Sequence, residues 1–363
     1  MRNVFGNHVS ITLFGESHGA AIGAVIDGLA PGIPVDEAFI RHQLTLRRPV
    51  GKLSTPRQET DPFVIESGVY NGKTTGSPIL IRIPNSDTKS GDYAPFAATP
   101  RPGHADYTAK VKYNGFADPR GGGHFSGRLT AAIVAAAAIV IPALKQKGIT
   151  IATHIARIAN VEDRSFGDLA ADMKTLNDAA FAVLDDQAAE AMKEAILTAA
   201  NDGDSVGGVL ETVVTGLPVG VGEPWFDTLE SVLAHALFSI PAVKGVEFGD
   251  GFALSSMRGS EANDCFVKDG DTVGTTTNHN GGINGGISNG MPLVIRCAVK
   301  PTPTIHKAQT TLNLDTGDMT ELVAGGRHDP CIVHRARVVV DSMVALTLCD
   351  SFSIKFGTDW LAE

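Results

Sequence analysis

Residues 131–144 read Ala131-Ala132-Ile133-Val134-Ala135-Ala136-Ala137-Ala138-Ile139-Val140-Ile141-Pro142-Ala143-Leu144, the longest apolar run of the chain. Alanine is the strongest helix former, and a helix with no polar face belongs inside a protein. The run falls short of the ~20 residues a membrane span needs, so it reads as a buried helix broken by Pro142. Ser126 is placed to cap it and Gly148 to stop it. Just before it comes Arg120-Gly121-Gly122-Gly123-His124-Phe125-Ser126-Gly127-Arg128. Three glycines let backbone amides face an anion, and the following helix N-terminus adds partial positive charge. The alternative is a plain flexible turn. A dinucleotide fingerprint is excluded, because the sixth position is Ser126 and Ala117-Asp118-Pro119 is no strand.

Outward from this helix, alternating or β-branched runs predict strands over 9–14, 21–26, 150–158, 208–214 and 292–299. Helices are expected from an Asp36 cap to about residue 46, and over 188–200, 228–238 and 336–348. Segments 63–69 and 78–83 read as a hairpin turned by Asn71-Gly72, which also explains a near miss to a phosphate-binding loop at 68–74. The polar, proline-rich stretch 85–101 reads as a surface loop or lid. Strict βαβ alternation is missing, so the fold class is α+β or a layered β/α sandwich, not a Rossmann sheet. Gly28-Leu29-Ala30-Pro31-Gly32 and Gly216-Leu217-Pro218-Val219-Gly220 both end apolar strands, as an old duplication or a chance match of turns would.

The length of 363 residues allows two or three domains, but no shift in composition marks a linker, and residues 1–363 are read as one. Charged residues are only 19% against 43% hydrophobic, which leaves little polar material to cover a surface and points to subunit contacts. A net charge of −10 argues against a nucleic-acid partner. Cys265, Cys297, Cys331 and Cys349 show no close pairing, as in a reducing cytoplasm. The first eight residues turn polar too early for a signal peptide.

Three loops carry ionisable residues in glycine- or proline-rich backbone: Gly15-Glu16-Ser17-His18-Gly19, Arg101-Pro102-Gly103-His104-Ala105-Asp106 and Gly325-Gly326-Arg327-His328-Asp329-Pro330-Cys331. Histidine exchanges protons near neutrality, and loops on a scaffold are where chemistry gathers. A structural role for either histidine stays open at this point. His104-x-Asp106 is a permissible metal spacing, but neither HExxH nor a Cys/His cluster is present, and no metal is expected. Arg41, Arg47, Arg48, Lys52 and Arg57 form either a solvated face or, through arginine's fork, a seat for a small polyanion. The glycine- and asparagine-rich stretch 278–290 and Lys300-Pro301-Thr302-Pro303-Thr304 either face solvent or approach a planar ligand.

Phe14-Gly15-Glu16-Ser17-His18-Gly19, the Arg101–Tyr107 motif, Arg120-Gly121-Gly122-Gly123, Ala242-Val243-Lys244-Gly245-Val246-Glu247-Phe248-Gly249 and Gly326-Arg327-His328-Asp329-Pro330-Cys331 together resemble chorismate synthase, in that family's order and from about residue 4 to 350. The resemblance implies a β-α-β sandwich working as a homotetramer. It implies 1,4-elimination of phosphate from 5-enolpyruvylshikimate-3-phosphate to give chorismate, with reduced FMN required but no net redox change. By the same resemblance the catalytic set is His18, His104 and Asp329 with Ser17 and Ser126. The flavin is lined by His124, Phe125, Ser126, Pro241, Ala242, Gly285, Lys300, Pro301, Thr302, Pro303, Thr304 and Arg327. Substrate anions fall to Arg47, Arg48, Lys52 and Arg128. No nicotinamide domain is evident beyond these motifs, so an external flavin reductase is expected as partner. A binding protein or phosphotransferase built on the same anion nest would show neither bound flavin nor dependence on reduction.

Overall fold

The computed structural model describes residues 3–49, 51–54, 60–86, 96–325 and 328–363. Arg57, Arg327, the side chain of Lys52 and much of the expected 85–101 loop lie outside the described residues. The Thr130–Gln146 helix is buried along nearly its whole length, as its composition requires. It does not break at Pro142 but runs through it. A helix-interior proline costs about 3 kcal/mol, while each buried Ile139, Val140 or Leu144 contributes roughly 1.5–3 kcal/mol, so packing wins. Ser126 caps not this helix directly but the short Gly127–Leu129 turn that leads into it, accepting the Arg128 N–H at 3.2 Å.

One side of this helix lies on a five-stranded antiparallel sheet, in the order Val4–Phe5, Ser10–Gly15, Ala21–Asp27, Ile79–Pro84, Val64–Ile65. The other side packs against the 24-residue helix Val333–Phe356. That helix in turn covers a second five-stranded antiparallel sheet: Val243–Phe248, Leu293–Val299, Gly208–Thr215, Thr150–Ile158, Val161–Glu162. The result is an α+β fold of sheet, helices and sheet. On Thr150–Ile158 the pleat divides the residues as period two demands. The Thr153 hydroxyl turns inward to Asp341 at 2.6 Å, while Ala152 packs outward on Met173 and Leu176.

Asn71-Gly72 is a turn, but of a separate small hairpin between Val69–Tyr70 and Lys73–Thr74. Val64–Ile65 pairs with Ile79–Pro84 across that insertion. The glycine runs 28–32 and 216–220 leave Ala21–Asp27 and Gly208–Thr215, which are the central strands of their respective sheets. The last helix is longer at both ends than the expected 336–348, because Cys331 and Val333 at one end and Phe352 at the other are also buried.

Candidate active site

The glycine loop before the buried helix is the hub. Gly121, Gly122 and Gly123 have φ of 61°, 81° and 54°, a left-handed path that side-chain-bearing residues resist. The path makes room for two histidines. A Cβ on Gly121 would stand 2.5 Å from Cδ2 and Nε2 of His18 and 2.9 Å from the Ser17 hydroxyl. A Cβ on Gly122 would stand 3.6 Å from Cε1 and Nε2 of His104. The two rings therefore flank neighbouring residues of one turn.

The first histidine loop is docked by backbone and by Asn85. Ser17 N–H donates to Gly123 O at 3.0 Å, and the Asn85 amide donates to the carbonyls of Glu16 and Gly19 at 2.9 Å. His124 donates from Nδ1 to Gly15 O at 2.8 Å, since a carbonyl can only accept. Ser17 is fully buried, and its hydroxyl has no hydrogen-bond partner among the described residues.

His104 is held from behind. Its Nδ1 lies 2.6 Å from Asp106 Oδ1, and Arg101 closes a fork on the same carboxylate with two contacts of 2.8 Å. Burial alone would raise the Asp106 pKa, but Arg101 and His104 outweigh it and hold the carboxyl well below its ordinary range. An ionised carboxylate only accepts, so the 2.6 Å contact favours a proton on Nδ1, against the Arg101 Nη2 donor 3.0 Å from the same nitrogen, while Nε2 faces Gly122. Beside it lies a cavity of ≈ 160 Å³, whose lining includes His104, Gly122, Phe125, Phe96 and Leu314.

Lys300–Thr304 packs on this same loop. Lys300 Nζ donates to Gly103 O at 2.6 Å, and Arg101 reaches the Thr304 hydroxyl at 3.3 Å. The Lys300 N–H donates to Ala242 O at 2.9 Å, and Ala242 itself has a φ of 76°. Pro241, Ala242, Lys300, Pro303 and Thr304 thus gather with His104, and Thr302 adds a buried hydroxyl without a partner among the described residues. Gly285 is placed elsewhere: its neighbour Gly286 packs on Glu223 and Thr228, at the Leu293 end of the strand whose other end leads to Lys300. Seven strand residues separate the two ends by roughly 20 Å.

The cationic part adjoins the hub. Arg47, Arg48 and Arg128 converge on Asp61, a buried residue that no feature of the sequence singled out. Arg47 also reaches Thr130 at 3.3 Å, and Arg128 Nε reaches Asn85 at 3.1 Å. Burial and the neighbouring Arg335 and Arg128 charges lower the Arg47 pKa to about 10, against the pull of Asp61. Arg335, also missed, donates to Arg47 O at 3.0 Å and pairs with Asp329 at 2.7 Å. His18, His104, Ser17, Ser126, the Arg47–Arg48–Arg128 group and Asp329 are thus linked through one loop and the ends of two helices. Cys331 is inert, because burial pushes its thiol up to about 12.

A profile of the chorismate synthase family matches residues 9–353. The chorismate synthase of Thermococcus gammatolerans is 48% identical over 347 residues, covering 95% of this chain and 96% of that one. That of Chitinophaga pinensis is 46% identical over 349 residues, 96% of both. A crystal structure of chorismate synthase superposes with a TM-score of 0.76 at 29% identity, covering 98% of this chain and 95% of that one. The glycine turn with its two histidines and the arginines around Asp61 lie within the matched span, and the chain belongs to the chorismate synthase family of lyases.

Proposed function

We propose that this chain converts 5-enolpyruvylshikimate-3-phosphate to chorismate by 1,4-elimination of phosphate, with reduced FMN as an unconsumed cofactor. The observation that carries the reading is the pair of histidines on Gly121 and Gly122, set beside a cluster of arginines. A phosphorylated dicarboxylate needs several cations, and Arg47, Arg48, Arg128 and Arg335 offer them within one region. His18, next to the glycine amides, is placed to donate a proton or positive charge to the departing phosphate oxygens. Asp329, fixed by Arg335, is placed to accept the ring hydrogen as a proton.

The residues around His104 suit a flavin. The Thr302 hydroxyl, buried and without a partner among the described residues, has room for a polar group of a ligand. Lys300 through Thr304 with Ala242 would hold the cofactor, while His104 would present Nε2 to it and so fix a proton at that point. When bound, reduced FMN supplies electron density that eases loss of the phosphate. An external reductase would deliver it reduced. Exposed Trp225, Phe226 and Phe252 support a homotetramer, and four free cysteines suit a reducing cytoplasm.

An anaerobic assay with dithionite-reduced FMN and the enolpyruvyl phosphate substrate tests the reading. Release of phosphate with formation of chorismate, and no loss of reduced flavin, is the expected result. No phosphate release under these conditions overturns the reaction, and turnover with NADPH and oxidised FMN alone removes the external reductase.

A further inference from the structure

Asp61 is 2% exposed, and its backbone sits at φ 51°, a left-handed conformation costly for any residue with a side chain. That geometry turns its carboxylate onto three guanidiniums. Arg128 Nη1 is in direct contact, Arg47 Nη2 lies at 3.4 Å and Arg48 Nε at 4.0 Å. Among the described residues, three guanidiniums thus share this one carboxylate. The Nε atoms of Arg47 and Arg48 are buried without a hydrogen-bond partner among the described residues. Groups in that state favour an additional acceptor.

We propose that Asp61 is a built-in counterion that holds Arg47, Arg48 and Arg128 together while the site is empty and competes for them with an incoming phosphate or carboxylate. It is a positioning residue: it acts through the arginines and need not touch the reacting atoms. Two unit charges about 4 Å apart interact by several kcal/mol in a partly buried site, so the carboxylate offsets much of the arginines' mutual repulsion. The same attraction opposes any external anion. Asp61 therefore moderates affinity, so that a multiply charged substrate is retained and inorganic phosphate is released. The inference rests on the reading that this cluster receives an anionic substrate.

The test is Asp61→Asn, which keeps the shape and removes the charge, probed with inorganic phosphate and without flavin. In sodium chloride the variant's thermal midpoint should fall below that of the parent. Phosphate at matched ionic strength should restore most of the loss, because a ligand that binds only the folded state stabilises it. Calorimetry should show phosphate binding to the variant roughly tenfold more tightly than to the parent. Equal or weaker phosphate binding, or equal rescue by chloride, overturns the proposal and leaves Asp61 as an ordinary structural acid. Should the single variant fail to fold, Asp61→Asn combined with Arg48→Gln removes one guanidinium and must fold; its failure also overturns the proposal. Phosphate binding by the parent without any elimination activity would instead count against the proposed reaction alone.

Discussion

Nδ1 of His104 lies 2.6 Å from Oδ1 of Asp106, and the fork of Arg101 closes on the same carboxylate. One carboxylate is thus shared between a candidate proton carrier and a fixed cation, which orients the ring. Asp106→Asn keeps the size but can offer its NH₂ to Nδ1, turning the ring or its tautomer over. Turnover should fall roughly 10- to 100-fold, and His104→Ala should lose roughly 10²–10⁴-fold. Parent-like rates in both variants, measured by stopped-flow absorbance, would return His104 to a structural role.

The place of His18 is tested without touching it. Gly121→Ala puts a methyl 2.5 Å from the His18 ring at a φ of 61°. Gly115→Ala introduces the same kind of backbone strain at φ 81°, with nothing within 4 Å. Gly115→Ala should cost about 1–2 kcal/mol of stability in denaturant unfolding, and Gly121→Ala more, because its methyl must also displace the ring. Only Gly121→Ala should approach the activity loss of His18→Ala. Equal activities in the two alanine variants would separate the glycine turn from the chemistry.

Asp329 is paired with Arg335, so its carboxylate is anchored. Asp329→Asn should fold, assemble and bind FMN, yet turn over at least about tenfold more slowly, the low end for a lost base. Loss of flavin binding or assembly, with residual molecules reacting at full rate, would make the residue structural.

Stability should fall at both ends of the pH range. Burial works against the Asp61 and Asp106 charges, but the arginines outweigh it and lower both pKa values below the ordinary 3.8. Their stabilisation is complete above that value and is lost as pH drops through the folded-state values. For His154, burial is outweighed by Asp163 and Glu211, so its pKa is raised above 6.5. Its stabilisation is complete below 6.5 and is lost as pH climbs through the raised value. Urea unfolding between about pH 1.5 and pH 9 should show both declines, and His154→Gln should flatten only the alkaline one. An unchanged alkaline limb in that variant would refute the assignment.

Trp225, Phe226 and Phe252 are each more than 80% exposed. Sedimentation equilibrium should report four chains, and Phe226→Asp with Trp225→Asp should reduce that number. A fully active monomer would contradict the assembly.

Local signals were legible where the physics is local. Asp36 caps its helix by accepting the N–H groups of Ala38 and Phe39, and the 150–158 strand needed only its own alternation. The Asp106–Lys112 helix went unread because Tyr107, Thr108 and Val111 are poor helix formers, and packing decides it. The histidine loops and the glycine turn announced themselves through backbone that ordinary strands and helices avoid. Asp61 did not, because its meaning comes from Arg128, 67 positions away, and from an arginine helix end. Asn85, which ties the first histidine loop to Arg128, was hidden for the same reason.

The long closing helix also reaches back to the strand that leads into the first histidine loop. Near its far end the Asp350 carboxylate accepts the N–H groups of Asn7, His8 and Val9 at 3.0, 2.7 and 2.9 Å. Those amides precede the Ser10–Gly15 strand that delivers His18. The donors and their acceptor lie 341 to 343 positions apart along the chain. The cost of closing so long a loop grows only slowly with its length, so one carboxylate suffices to fix the start of the strand. The entry to the first histidine loop therefore shares its anchor with the closing helix, and whatever loosens one loosens the other.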